Sequence, residues 1–256
     1  MNLKVIVNAD DCGLNSTVNN KIEECIQRGR LTSTTVMAVG SDILGAKRLY
    51  DMYNEQVSFG CHLTLDDGKP LLFNQCLADN GYIESKDDEW YFTRKLWDQV
   101  LIQGKVKNAL LKECCTQIEF LLDNGFHISH LDSHHHVHTS KGLFWLIPIL
   151  GKKYGIKKYR RMRNNMSVSL GLLYRQVWNI CEKIQNPSSQ TTDVFCSCSS
   201  IFKNEDLQIL KKAETIELMC HPGHPNEKFK DEIIQLLCRD KILYHTDYEL
   251  INYNQL

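Results

Sequence analysis

The sequence lacks any apolar run near the roughly 20 residues needed to cross a bilayer, so no transmembrane helix is expected. It also lacks a charge excess: 30 Lys and Arg stand against 31 Asp and Glu, a formal net charge of −1. Nothing in that balance points to nucleic acid or to a membrane surface as a partner. Among the 11 cysteines no Cys-x-x-Cys pair occurs, which argues against a thiolate zinc site and a thioredoxin-type redox motif. Many unpaired thiols fit a reducing compartment. The opening Met1–Val7 run is too short for the apolar core of a signal peptide and has no small-residue cleavage site. It reads as a first strand, and the expected location is the cytoplasm. No internal repeat and no strand-only block are present, which leaves repeat arrays and β-sandwiches without support.

What the chain has is alternation. A length of 256 residues is enough for one full core, and we expect a single domain over residues 1–256. Strand-like Leu3–Asn8, Thr32–Val39 and Val57–Leu65 are separated by helical patterns at Ser16–Gln27, capped by Asn15 or Ser16, and at Ile43–Tyr53. Further on, Asn108–Asn124 is strongly amphipathic and stopped by Gly125, and Ile128–Asp132 is strand-like. Leu143–Tyr154 is helical, with Pro148 kinking it or starting it afresh. A fifth strand over Lys158–Met162, a helix Leu170–Ile184, a strand Thr192–Cys196, a helix near Glu205–Lys212, the strand Thr215–Cys220 and a helix Lys228–Asp240 complete the series. Repeated βα units predict an α/β fold, a (β/α) barrel of about seven parallel strands with active-site residues at the strand C-termini. The long stretch at about 66–95 interrupts the series. Loops of that length are usually functional, so it is expected as a lid, with Trp90, Tyr91 and Phe92 available to stack on a ligand. An unstructured surface insertion fits its composition equally.

Four polar segments fall at one end of that sheet. Asn8-Ala9-Asp10-Asp11 follows the first strand, His62 lies late in the third, Asp132–His138 follows the fourth, and His221 follows Thr215–Cys220. Taken singly, each has an ordinary explanation: an Asp-Asp turn, a core histidine, an exposed histidine in a Pro-Gly turn. The tract His130-Leu131-Asp132-Ser133-His134-His135-His136-Val137-His138 is harder to explain as packing, because it holds half of the chain's 10 histidines. In an extended segment its even-numbered residues share a face, which suits metal binding. Imidazole with carboxylate suits zinc, manganese or iron, whereas magnesium prefers more oxygen. The basic run Lys152–Arg163 reads as a solvated face, or as the source of one arginine, Arg163, for an anionic substrate group.

Assembled, these pieces resemble the YdjC-like carbohydrate deacetylases, the family that includes chitooligosaccharide deacetylase. The resemblance rests on Val7-Asn8-Ala9-Asp10-Asp11-x-Gly13-Leu14, Leu31-Thr32-Ser33-Thr34-Thr35, Gly60-x-His62-Leu63-Thr64-Leu65, the histidine tract, and Met219-Cys220-His221-Pro222. Cys12 departs from the phenylalanine usual at its position. The resemblance implies a distorted barrel and one divalent metal ion, Mg2+ or Zn2+, held by Asp11, His62 and His134. It further implies Asp10 as general base and His221 as general acid; His135 and, from the basic run, Arg163 are expected toward the substrate. That substrate would be a small N-acetylated sugar, chitobiose-like and with or without a phosphate, and a homodimer is left open. Two other readings stay open on the residues alone: a metal-dependent phosphoesterase on a His-rich barrel, and a non-catalytic metal-binding protein.

Overall fold

In a computed structural model, residues 3–163, 170–185, 187–198, 213–224 and 248–256 are described. The expected helices near Glu205–Lys212 and Lys228–Asp240 lie outside them. The described elements run β1 (Leu3–Cys12), α1 (Ser16–Gln27), β2 (Ser33–Val36), α2 (Ile43–Tyr53), β3 (Ser58–Leu63), α3 (Gln75–Asp79), β4 (Ile83–Lys86), β5 (Glu89–Phe92), α4 (Gly104–Asp123), β6 (Leu131–Ser133), α5 (Leu146–Tyr154), α6 (Leu170–Gln185), β7 (Val194–Ser197), β8 (Thr215–Cys220) and β9 (Tyr248–Leu250). Asn15 caps α1 by accepting from the Val18 amide. Pro148 sits in the first turn of α5, where its missing N–H costs nothing, so the helix starts at Leu146 instead of kinking.

Among the described residues, seven strands form one sheet in the order β6-β3-β2-β1-β8-β7, with β9 paired to β1, and every pairing in it is parallel. β9 covers Leu3–Val5 on one edge of β1, and β2 takes over that edge from Asn8 onward. The sheet curls toward closure through single bridges. Leu131 pairs with Tyr159, and Lys158 pairs with Gln190 just ahead of β7. The expected fifth strand is reduced to those bridges. The result is a distorted (β/α) barrel, the barrel expected from the alternation and its distortion from the resemblance.

From Val5 onward both faces of β1 are buried, as in a parallel sheet covered on each side. Val5 and Val7 join the large core under the helices, while Ile6 packs with Ile251 and Tyr253 in a small separate cluster. Along the Ile6 face, every second residue then turns polar: Asn8 and Asp10 on β1, Thr35 on β2, His62 on β3, Asp132 on β6 and Glu217 on β8, all buried. Above that small apolar floor the barrel interior is therefore a hydrogen-bonded network.

The segment expected as an insertion is ordered. It carries α3 and an antiparallel β4–β5 hairpin turned at Asp87-Asp88, both with positive φ, the pattern of a two-residue type I′ turn. Two buried α4 side chains tie its base down. The Glu113 carboxylate accepts from the Leu71 and Leu72 amides, and Gln117 bonds both the amide and the carbonyl of Thr64.

Candidate active site

The Asp10–Asp11 pair owes its geometry to a bulge. In a regular strand adjacent side chains point to opposite faces. Here the β1–β2 register shifts between Ala9 and Cys12, and Asp11 takes φ 67°, a left-handed conformation that aspartate tolerates better than most residues. Both carboxylates consequently border the same cavity, of about 360 Å³, together with His134, His135, His136, His221 and His224.

Asp11, His62 and His134 converge. His134 Nδ1 lies 2.9 Å and His62 Nε2 3.3 Å from Asp11 Oδ1. One donor atom from each residue falls within 4.8 Å of the others, so the three can hold a metal ion. Asp11 Oδ2 is buried without a hydrogen-bond partner, an acceptor that a cation would satisfy. Burial disfavours charge on all three, but their mutual contacts override it. His134 and His62 hold the Asp11 carboxyl well below the usual range. Asp132 and Asp11 push His62 up to about 10, and Asp11 and Asp67 push His134 up to about 9. Asp132 Oδ1, 2.7 Å from His62 Nδ1, orients that imidazole so that Nε2 faces Asp11.

Asp10 is held differently. Arg160, fully buried, donates from Nη1 to Asp10 Oδ2 and from Nη2 to Asp10 Oδ1, each at 2.7 Å. Asn8 Nδ2 adds a third bond at 2.9 Å. Burial would raise the Asp10 pKa, yet the guanidinium keeps it well below the carboxylate range. Asp10, His62 and Asp132 also form a group with metal-ligand spacing. Arg160 already sits against both of its carboxylates, Nη1 lying 2.8 Å from Asp132 Oδ2, so a cation there would face a buried positive charge. His221 Nε2 approaches Asp10 Oδ2 at 3.8 Å.

The histidine tract does not keep its extended alternation. His135 and His136 adopt positive φ, and the chain turns immediately after β6. His138 is buried away from the cavity, with Nδ1 2.5 Å from Ser133 Oγ and Nε2 3.2 Å from the Arg160 carbonyl. His130 stacks on Tyr253 at 3.6 Å and fills the space left by Gly60, where a Cβ would lie 2.5 Å from the ring. Burial lowers the pKa of His138 to about 4 and of His130 to about 3, so both act as neutral packing groups. His135 Nδ1 lies 3.1 Å from Asp66 Oδ2, which also accepts from Trp97 Nε1 at 2.8 Å.

Arg163 does not border the first cavity. It lines a neighbouring one of about 540 Å³ with Arg175, Lys141, Trp97 and Phe195, and His135 and His136 form the shared wall. Trp90, Tyr91 and Phe92 line neither cavity. Trp90 packs on Phe73 at 5.0 Å, Phe92 is buried, and the Tyr91 hydroxyl bonds Glu89. Trp97, just beyond the hairpin, lines the second cavity together with Phe195. Cys12 is fully buried beside Asn19, and burial pushes its thiol up to about 12.

The YdjC-like protein family matches residues 4–250. The chain belongs to that family. Among similar proteins, a carbohydrate deacetylase of Enterococcus faecalis is 29% identical over 238 residues, covering 91% of this chain and 84% of the relative. A carbohydrate deacetylase of Vibrio cholerae is 30% identical over 231 residues, covering 86% and 79%. The fold is shared with the crystal structure of an E. faecalis V583 protein for which cellobiose-phosphate cleavage has been suggested. That likeness has a TM-score of 0.74 at 23% identity and covers 100% of this chain and 99% of the other.

Proposed function

We propose that this YdjC-like chain is a metal-dependent N-deacetylase that hydrolyses the acetamide of a small N-acetylated sugar, giving acetate and an amino sugar. The observation that carries the reading is the convergence of Asp11, His62 and His134 around one unsatisfied carboxylate oxygen, beside a separately held carboxylate, Asp10. The relatives named carbohydrate deacetylases support it. Those three residues would hold one divalent ion, and two imidazoles with one carboxylate suit Zn2+ better than Mg2+. When bound, such an ion supplies Lewis acidity toward water and an acetamide carbonyl.

The chain's own residues would do the rest. Arg160 keeps Asp10 ionised at neutral pH and fixes it in the cavity wall, where Asp10 takes the proton from the attacking water. His221, across the same cavity, gives a proton to the departing sugar nitrogen as the C–N bond breaks. No covalent link to the protein forms. The second reading, a phosphoesterase, would favour more ligands and a second metal. Among the described residues the other groups with ligand spacing either contain Asp10 and Asp132, already paired with Arg160, or share His134.

We further assign residues 66–95 as a lid on a single 1–256 domain, since Asp66 and Asp67 at its start reach His135 and His134. The cavity lined by Arg163, Arg175 and Lys141 suits an anionic group on the sugar, such as a phosphate. Cys12, Cys61, Cys76, Cys114, Cys115 and Cys181 form no disulfide, which fits a cytoplasmic setting. The test is acetate release from N,N′-diacetylchitobiose and its 6-phosphate with Zn2+, Mg2+ or chelator. Metal-dependent acetate is expected. Release of phosphate without acetate would favour the phosphoesterase.

A further inference from the structure

Beneath the cavity, a single guanidinium contacts three buried carboxylates. The Arg160 guanidinium contacts Asp10 through both terminal nitrogens, Asp132 through Nη1 at 2.8 Å, and Glu217 Oε1 through Nε at 2.8 Å and Nη2 at 2.7 Å. All four side chains are fully buried or nearly so. If every carboxylate were ionised, the group would carry an uncompensated negative charge away from water, which is strongly unfavourable. The surroundings distinguish the three. Asp10 has Asn8 as an additional donor, and Asp132 has Thr35 Oγ1 at 3.2 Å and His62 Nδ1 at 2.7 Å. Glu217 Oε2 meets, among the described residues, only the hydroxyl of Tyr253, at 2.6 Å, and a hydroxyl can accept as well as donate.

Among the described residues, the ionisable groups around Glu217 are Arg160 from the segment after α5 and Tyr253 from the C-terminal turn, with Asp132 from β6 and Asp10 from β1 on the same guanidinium. On β7, the Phe195 ring lies 4.7 Å from the guanidinium carbon and brings no charge.

We propose that Glu217 works as a neutral carboxylic acid: its carbonyl oxygen grips Arg160, its hydroxyl hydrogen bonds Tyr253 Oη, and the guanidinium charge is left to Asp10 and Asp132. Glu217 is thus a positioning residue that acts on Asp10 through Arg160. Its catalytic consequence rests on the deacetylase reading, while its protonation does not. Burial pushes the Glu217 pKa up to about 7 even against the pull of Arg160. A raised carboxyl stabilises the fold most at low pH, and that contribution fades as pH rises toward 7.

Glutamine is the isostere of a protonated glutamate: its carbonyl can accept from Arg160 and its amide can donate to Tyr253. The experiment compares Glu217→Gln and Glu217→Ala in the full chain, at matched metal content, by steady-state kinetics and by infrared difference spectroscopy at pH 6. Glu217→Ala is expected to lower kcat at least about tenfold with KM little changed, as for loss of a group acting on the reacting geometry. Glu217→Gln is expected to restore kcat to within about threefold of wild type. The infrared difference, wild type minus Glu217→Gln, should show the carbonyl stretch of a buried carboxylic acid. A Glu217→Gln enzyme as impaired as Glu217→Ala, or a carboxylate band in place of the acid band, overturns the proposal. Should Glu217→Ala fail to fold, the glutamine variant and the spectrum decide alone. Should wild type release no acetate, the deacetylase reading falls, and the spectrum still reports the state of Glu217.

Discussion

Asp132→Asn should weaken metal binding although Asp132 is not among the assigned ligands. Its Oδ1 lies 2.7 Å from His62 Nδ1, and its Oδ2 accepts from Thr35 and sits 2.8 Å from Arg160 Nη1. An asparagine has one acceptor to offer where two are used. With its oxygen turned to Arg160, its amide donates to His62 Nδ1, which forces the remaining ring proton onto Nε2, the nitrogen facing Asp11. Turned the other way, the amide opposes the buried guanidinium, also a donor. Either orientation degrades the ligand. Removing such a supporting carboxylate typically costs 10–100-fold in metal affinity, about 1.4–2.7 kcal/mol. The assay is competition with a chromophoric chelator, at a pH where both proteins are folded by circular dichroism. An affinity within about twofold of wild type would refute the orientation argument and the assignment of His62 Nε2 as a ligand atom.

Three further outcomes are expected. Gly60→Ala would drive a Cβ to 2.5 Å from His130 Cε1, and that ring, stacked on Tyr253 at 3.6 Å, has nowhere to move. Overpacking of about 1–3 kcal/mol should appear as a Tm lower by several degrees, and an unchanged Tm would contradict the packing. Metal binding should release protons, because in the metal-free protein the pKa values of His62, about 10, and His134, about 9, leave both protonated at neutral pH. Affinity should therefore rise with pH up to that range, and calorimetry in buffers of different ionisation enthalpy should count about two protons at pH 7. Arg163→Ala should raise the barrier for a phosphorylated sugar by about 1.5–3 kcal/mol and leave the neutral sugar unaffected. Equal effects on the two sugars would place the phosphate elsewhere.

The alternation of strands and helices was readable because runs of apolar and β-branched residues alternate with amphipathic helical patterns, and α1, α2 and β8 fall where their patterns place them. Asp10, Asp11, His62, His134 and His221 could be grouped from sequence since each follows or ends a strand, and parallel strands bring those ends together. Arg160 was visible only as one of seven basic residues in Lys152–Arg163, because the strand that would have assigned its side to the interior is reduced to two single bridges. The separation of His138 from His134 escaped the alternation argument: two consecutive left-handed residues, His135 and His136, rotate the tract. Trp90 lies away from the cavities for a tertiary reason that no local pattern carries, since the hairpin packs it against Phe73. Tyr253 lies far along the chain from every motif and enters the interior through β9, whose three residues carry too little pattern to read.

The central claim divides labour between two adjacent carboxylates, one for the metal and one for the proton. It is tested most directly by measuring bound metal and acetate release side by side in Asp10→Asn and Asp11→Asn. Asp10→Asn should keep about one ion per chain and lose on the order of 10²–10⁴ in rate, the usual contribution of a general base. Asp11→Asn should lose the ion itself. Equal metal loss in the two variants, or an Asp11→Asn protein with its full complement of metal, would contradict the account.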